Sequence, residues 1–511
     1  MPLARSRAVA VLGVEGHLVE VEADLAIGIP RLTLIGLPDA SLHEARDRIR
    51  AAVVNSGEDW PNHRITVGLF PATLPKAGSG FDLAMAVAVL GAAAVVPSAS
   101  LLSRVFIGEL ALDGRVREVR GVLPAVLRAA AAGIERVVVP AANAAEAALV
   151  PGTRIEPVAT LAGVLALLRG EQAPDVPVPP PARPAADDGT PGDLADVAGQ
   201  SRGRLAIEVA AAGGHHLYMQ GPPGSGKTML AERLPGLLPA LNREASLEVT
   251  AVHSVAGVLP ADCPMVTRPP FRNPHHSATP AALIGSGSAV VRPGLASQAH
   301  RGILLLDEAP EFSRLALDAL RQPLESGAIE VARARVIARF PARFQLVLAA
   351  NPCPCSKARG PRATGCECPS LVRRRYLARL SGPLLDRIDI QVALSAPSRA
   401  ELRADVDRCE SSTAVATRVA RARRLASARL AGTPWRANAE VPGPALRRQW
   451  PLPARATALA ERAFERGMLT ARGLDRVLRL AWTLADLADL PAPGPDQFGI
   501  ALELRLPGWA A

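Results

Sequence analysis

The residues with the clearest chemistry form a glycine-rich loop between a predicted strand, 216–220, and a predicted helix that begins at 229. The loop fits the pattern GxxxxGK[ST] and consists of Gly221, Pro222, Pro223, Gly224, Ser225, Gly226, Lys227 and Thr228. In such a loop the backbone N–H groups converge on phosphates, the lysine reaches the β- and γ-phosphate oxygens, and the hydroxyl binds Mg²⁺. Lysine otherwise occurs only at positions 76 and 357. The sequence therefore predicts that Lys227 and Thr228 bind Mg-ATP.

Two carboxylates and an amide follow other predicted strands. Asp307 and Glu308 come directly after the apolar run 303–306, and Asn351 follows the strand-like run 344–350. Phosphoryl transfer depends mainly on positioning and charge stabilisation. We therefore expect Asp307 to hold Mg²⁺ through water, Glu308 to polarise the attacking water, and Asn351 to orient that water.

Four of the six cysteines crowd into one short segment. They form two C-x-C pairs separated by ten residues, and they are Cys353, Cys355, Cys366 and Cys368. Four thiolates can close a tetrahedral zinc site, although C-x₂-C is the commoner spacing of a pair. The spacing leaves three readings open, namely structural zinc, free thiols and redox pairing.

Basic residues make a polyanionic partner a reasonable expectation. The net charge is +10 and the isoelectric point is near 10.1, a balance that favours nucleic acid or acidic lipid. The run 328–340 alternates apolar and basic residues like a β-hairpin, with its arginines at Arg333, Arg335 and Arg339. They could neutralise phosphates of a nucleic acid, or the hairpin could simply be solvated. Five arginines of a later helix, at 418, 421, 423, 424 and 429, predict a solvated helical face rather than a binding site.

The elements that position these residues alternate between strands and helices, which predicts an α/β fold. We expect an α/β domain at 1–170, a proline-rich linker at 171–192, a second α/β domain with a parallel sheet at 193–397, and a helical lid at 398–511. The longest clean apolar run, 83–96, has 14 residues, whereas a bilayer span needs about 20. No N-terminal signal pattern is evident, so a cytoplasmic location without membrane contact is expected.

Several segments together resemble the Mg-chelatase-like AAA+ ATPases of the YifB/ComM type. They are GPPGSGKTMLAERLPGLLP, PHHSATPAALIGSGSAVVRPG, GILLLDEAPEF, LRQPLESG, PARFQLVLAANPCPC and LSGPLLDRIDI. The resemblance implies that Gln200 lies near the adenine, that Asn351 is the sensor-1 residue, that Arg387 is an arginine finger for the neighbouring subunit, and that Arg472 is the lid sensor-2 arginine. A surface ion pair with Asp386 or Asp389 is the other reading of Arg387. At Trp482 the family usually has an arginine.

The N-terminal part resembles the proteolytic domain of Lon-type proteases in the run 75–82 and in the runs 108–116 and 120–123. Matching by order puts Gly80 at the position of the serine nucleophile and Leu123 at that of the lysine. A Ser–Lys dyad needs both groups in contact. We therefore expect this domain to be inactive as a peptidase and to serve assembly or substrate handling.

The resemblance implies a hexameric ring in which the 328–340 hairpin lines the central pore. It further implies that ATP hydrolysis drives translocation on branched or single-stranded DNA, with branch migration of recombination intermediates in natural transformation as the activity. Two alternatives remain, a chelatase-type motor that remodels a protein partner and an ATP-dependent peptidase.

Overall fold

The computed structural model describes residues 3–506 apart from 37–39, 77, 173–191, 261–262, 288–290, 334–335, 356–365, 399, 402 and 404–408. The proline-rich linker predicted from the sequence falls mainly on 173–191, outside the described residues. Of the described helices, none has both the length and the apolar character that crossing a membrane requires.

Within the described residues, the N-terminal part contains nine strands and six α-helices. The strands are β1 Leu3–Leu12, β2 Glu15–Ala26, β3 Arg31–Ile35, β4 Arg64–Phe70, β5 Arg104–Phe106, β6 Glu109–Leu110, β7 Val116–Arg117, β8 Arg136–Pro140 and β9 Arg154–Val158. The helices are α1 Ala40–Asn55, α2 Asp82–Ala92, α3 Ser98–Leu102, α4 Val122–Ala131, α5 Ala144–Ala147 and α6 Leu161–Arg169.

Two larger sheets pack around the buried helix α2. One has the order β1-β2-β4-β3, with β3 and β4 parallel and the other pairs antiparallel, and the second is the parallel sheet β5-β8-β9. All eleven residues of α2 are buried, because this mostly small and apolar helix lies in the middle of the core. Strand β1 joins β2 through Gly13, whose φ of +66° favours glycine.

The second part contains strands β10–β18 and helices α7–α15. The strands are β10 Leu217–Gln220, β11 Phe271–Arg272, β12 Gly285–Ser286, β13 Arg292–Pro293, β14 Ile303–Leu306, β15 Ala328–Arg333, β16 Val336–Pro341, β17 Gln345–Ala350 and β18 Ile390–Ala393. The helices are α7 Ser201–Gly213, α8 Lys227–Leu237, α9 Arg243–Ala256, α10 Pro280–Ile284, α11 Leu295–Gln298, α12 Arg314–Ala319, α13 Arg321–Ser326, α14 Ser370–Leu377 and α15 Gly382–Leu385.

A five-stranded parallel sheet organises this part, in the order β11-β14-β17-β10-β18. The residues of β14 and β17 are all buried, as expected for a parallel sheet covered on both faces. The α/β prediction with a parallel sheet is therefore confirmed. Because the strands are parallel, the residues that follow β10, β14 and β17 meet at one edge of the sheet.

The C-terminal part is helical, as predicted. Its helices are α16 Ser412–Arg429, α17 Gly443–Gln449, α18 Ala454–Glu465, α19 Ala471–Leu487 and α20 Pro495–Arg505. Their apolar faces share one buried core with α7, α8 and β10. The prediction of a solvated arginine face on α16 is wrong for three of the five residues. Arg418 pairs with Glu208, Arg423 donates to the carbonyl of Ala211, and Arg429 pairs with Asp486, because α16 packs on α7 and α19.

The N-terminal part packs directly on the second part. Helix α4 lies against α9, and the buried carboxylate of Glu146 accepts hydrogen bonds from the N–H of Leu123 and from the hydroxyl of Ser254. The turn at Gly13 lies against the backbone of Arg339 in strand β16. The β15–β16 hairpin is therefore supported at one side by the N-terminal sheet.

Candidate functional site

The phosphate loop connects β10 to α8 and has a backbone shape that favours glycine at two points. Gly224 and Gly226 have φ of +75° and +80°, in the region that favours glycine. At Gly221 a Cβ atom would stand 2.6 Å from the hydroxyl of Ser225. The loop thus closes tightly over a cleft of about 310 Å³ that Lys227, Thr228, Asp307, Glu308 and Asn351 help to line.

Lys227 is buried at the start of α8 and is bound by the loop itself. Its Nζ donates to the carbonyls of Gly221 and Pro222 at 2.8 and 2.9 Å, and to Oδ1 of Asn351 at 3.1 Å. Burial lowers the pKa of the ammonium, against the opposing charges of Asp307 and Glu308. Anionic phosphate oxygens could replace these carbonyl acceptors, so the ammonium group is in place for a triphosphate.

The three polar residues predicted to act with the loop meet it at the same sheet edge. The Thr228 hydroxyl donates to Oδ2 of Asp307 at 2.8 Å, which places the two predicted Mg²⁺ ligands together. The backbone N–H of Glu308 donates to Oδ1 of Asp307 at 2.9 Å. Asn351 is buried directly after β17 and reaches Lys227. These oxygens suit Mg²⁺, which the sequence predicts as the partner of ATP.

Gln200 lies beside the phosphate loop, on the side where β18 ends. Its side chain is buried, and its Nε2 donates to the carbonyl of Ser395 at 2.7 Å, just after β18. Gly226 is its neighbour across the loop. This location suits the predicted role near the base of the nucleotide.

One residue of this edge has no role in the sequence prediction. Nδ1 of His276 lies 3.7 Å from Oε2 of Glu308. His276 comes shortly after β11, the neighbour of β14 in the sheet. Only the position of His276 in the sequence could have indicated a role. It is a polar residue that follows a strand, and that strand is adjacent to the one followed by Asp307 and Glu308.

Arg387 lies at the opposite end of the sheet from its own phosphate loop. It precedes β18, whose Ile390 pairs with Leu217 at the start of β10, whereas the loop follows the end of β10. A four-residue strand is about 13 Å long. The guanidinium pairs with Glu325 rather than with Asp386 or Asp389. The alternative interpretation of Arg387, a surface ion pair with one of these aspartates, therefore names the wrong carboxylate.

Arg472 of α19 lies close to Arg387. Burial lowers the pKa of Arg387, and the positive charge of Arg472 lowers it further. Arg472 itself is exposed. The two arginines predicted to contact nucleotide are therefore near enough for their charges to interact.

The lid holds the residues that follow Arg387. Arg476 donates to Oδ1 of the buried Asp389 at 2.6 Å, and Asp389 contacts Nδ1 of His215 through its other oxygen at 3.1 Å. Burial by itself would raise the pKa of Asp389, yet these two partners hold it well below its usual range. Arg505 donates to the carbonyl of Ile388. Lid and sheet thus fix the backbone next to Arg387 from both sides.

Trp482 is part of the same lid core. The ring is buried, and the guanidinium of Arg429 lies 4.4 Å above its centroid. Where the family resemblance implies an arginine, this chain thus has an aromatic residue that stacks with an arginine from α16.

The four clustered cysteines converge although ten residues separate their pairs. All four Sγ atoms lie within 4.8 Å of one another, and Sγ of Cys353 is 3.0 Å from that of Cys355 and 3.2 Å from that of Cys366. Burial, reinforced by contacts with neighbouring thiols, raises the pKa of Cys353 to about 12. A bound cation would offset the free-energy cost of burying charged thiolates. Four sulfur donors in such a cluster fit Zn²⁺.

The predicted hairpin is present as β15 paired with β16. Ile329, Val331 and Phe340 are buried on one face, while Arg339 is exposed on the other, opposite Glu330. The side chain of Arg333 and all of Arg335 lie outside the described residues. Arg339 is thus the one predicted DNA contact whose exposure the structure reports.

The serine and lysine near the Lon-like position do not form a dyad. Nζ of the buried Lys76 donates to backbone carbonyls of Gly36, Leu69 and Pro71. The hydroxyl of Ser79 donates to Glu109. Lys76 therefore stabilises the loops around β4, and it is bound away from the serine.

Family models of magnesium chelatase match most of the chain. They are described as magnesium chelatase, subunit ChlI, over residues 193–402, subunit ChlI of Mg-chelatase, over 21–143, and magnesium chelatase, subunit ChlI C-terminal, over 409–505. The last two lie on either side of the phosphate-loop segment, which the first covers.

Full-length relatives are also similar. The competence protein ComM of Haemophilus influenzae is 39% identical over 489 residues, which are 95% of this chain and 94% of ComM. The YifB protein of Escherichia coli is 40% identical over 94% of this chain and 92% of its own length. An uncharacterized protein of Mycobacterium tuberculosis is 53% identical over 99% of each chain.

Proposed function

Because this chain belongs to the YifB/ComM family of Mg-chelatase-like AAA+ proteins, we propose that it is a ring-forming ATPase that couples ATP hydrolysis to movement along DNA. The observation that carries the ATPase part is the meeting of Lys227, Thr228, Asp307 and Asn351 at one sheet edge. Binding and hydrolysis of Mg-ATP need these groups in contact.

Ring assembly is supported by the separation of Arg387 from its own phosphate loop. An arginine finger neutralises charge that develops on the transferred phosphoryl group. Since Arg387 lies at the far end of β18, it serves the nucleotide of a neighbouring copy, and the adjacent Arg472 acts with it. A closed ring, a hexamer in this proposal, gives every site such a neighbour.

DNA is the proposed partner for three reasons. The chain carries a net charge of +10, the β15–β16 hairpin exposes Arg339, and one relative is a competence protein. The proposed activity is branch migration of recombination intermediates during natural transformation, with the hairpin in the ring pore. We further propose that Cys353, Cys355, Cys366 and Cys368, whose Sγ atoms lie within 4.8 Å of one another, bind a structural zinc ion.

A salt titration with a hairpin variant tests the DNA contact. ATP-bound protein should bind branched DNA with an affinity that falls steeply with salt, because counterions leave each neutralised phosphate. Replacing Arg333, Arg335 and Arg339 by alanine should flatten the log–log slope by up to about three units. An unchanged slope excludes the hairpin as the contact, and wild-type protein that binds no DNA excludes the DNA proposal.

A chelatase-type motor acting on a protein partner is the second candidate. It is favoured by the family models, which are all named for magnesium chelatase. The same DNA-binding measurement separates the two, because a motor of this second kind needs no affinity for branched DNA.

A further inference from the structure

His276 and Glu308 approach each other from neighbouring strands. The imidazole Nδ1 lies 3.7 Å from the carboxylate Oε2, which is within ion-pair range. His276 follows β11 and Glu308 follows β14, and these strands are paired in parallel. The sheet itself therefore sets this approach, at the edge that carries the phosphate loop.

Glu308 needs an external restraint to keep one orientation. Its backbone is left-handed, with φ of 51° and ψ of 41°, a conformation that a non-glycine residue keeps only when its surroundings impose it. The side chain is 51% exposed, so close packing does not fix its rotamer. A carboxylate that activates water must nevertheless be held in one geometry.

His276 is itself held in place by its own segment. Its ring packs on that of His275 at 4.0 Å between centroids, with the two planes tilted by 35°, and Nδ1 of His275 lies 2.8 Å from the hydroxyl of Ser277. Thr279 then caps α10, which continues directly into β12. These contacts hold the turn in place, and the turn holds the imidazole of His276 next to Glu308.

We propose that His276 is a positioning residue, which holds the carboxylate of Glu308 towards the nucleotide cleft. The inference rests on the proposed ATPase function of this site. In the reaction a water oxygen bonds to the γ-phosphorus, the bond to the bridging oxygen of ADP breaks, and the water proton passes to Glu308. His276 acts through the orientation of that carboxylate.

Steady-state ATPase measurements on the full chain, paired with nucleotide binding, provide the first test. His276→Ala should lower kcat by roughly 10- to 100-fold, the scale expected for a misplaced catalytic group, with ATP affinity unchanged because Lys227 and Thr228 are untouched. His276→Asn should restore much of the rate, since its amide occupies the place of Nδ1, whereas His276→Gln should not. His63→Ala removes an exposed histidine of the N-terminal part, serves as the control and should keep nearly wild-type kcat.

A double-mutant cycle separates positioning from a general structural defect. In a Glu308→Gln background, adding His276→Ala should cause no further loss of rate, because the carboxylate to be positioned is already gone. A full additional loss overturns the proposal, as does a His276→Ala variant with wild-type kcat. Wild-type protein without any ATPase activity would instead refute the proposed function, so the two failures are distinguishable.

Discussion

Replacing Arg387 by alanine should remove ATP hydrolysis while leaving ATP binding nearly intact. Arg387 precedes β18, and the phosphate loop follows β10 at the other end of the paired strands. The strand alone spans about 13 Å, so the side chain does not contribute to its own nucleotide site. Loss of an arginine finger costs roughly 10³-fold or more in rate, and that loss should appear in kcat.

Mixing two inactive variants tests whether Arg387 acts on the neighbouring subunit. An Arg387→Ala subunit keeps Glu308, and a Glu308→Gln subunit keeps Arg387, so an interface that combines them in the right order is complete. In an equal random mixture about a quarter of the interfaces of a ring are of this kind. ATPase activity should therefore return to a comparable fraction of the wild-type rate.

The control is Arg448→Ala, which removes an exposed lid arginine and should change neither binding nor rate. If every mixing ratio is as inactive as the two parents, although both variants bind ATP and assemble, the assignment of Arg387 to a neighbouring site is refuted.

Two further predictions concern the nucleotide site and the cysteine cluster. Lys227→Ala should lose nucleotide affinity, whereas Glu308→Gln should bind ATP and hydrolyse it far more slowly, and equal binding defects in a fluorescent-nucleotide titration would contradict the division of roles. Metal analysis of protein purified under reducing conditions without chelator should find about one zinc ion per chain. Cys353→Ser should lower that content and Cys263→Ser should not, while wild-type protein without zinc would leave free thiols as the reading.

Local patterns were sufficient where one segment determines the structure. The strand predicted at 216–220 is found as β10 at Leu217–Gln220, and the apolar run 303–306 is found as β14. The phosphate loop was recognisable because its glycines, lysine and threonine are contiguous. Asp307 and Asn351 could be added because residues that follow parallel strands share one edge.

Features that depend on distant partners were not predictable from the sequence. Arg423 donates to the carbonyl of Ala211, which is more than 200 residues away in the sequence. The arginine pattern of the helix alone therefore wrongly predicts that Arg423 is solvated. The partner of Arg387 proved to be Glu325 for the same reason. The sequence assigns no role to His276, because its proximity to Glu308 arises only when β11 and β14 pair.

The most direct test of the central claim is a branch-migration assay with purified wild-type protein and a labelled three- or four-stranded junction. ATP should drive strand exchange, a non-hydrolysable analogue should not, and Glu308→Gln should bind the junction without moving it. Wild-type protein that hydrolyses ATP yet leaves the junction unmoved at every salt concentration would contradict the claim that this ATPase works on DNA.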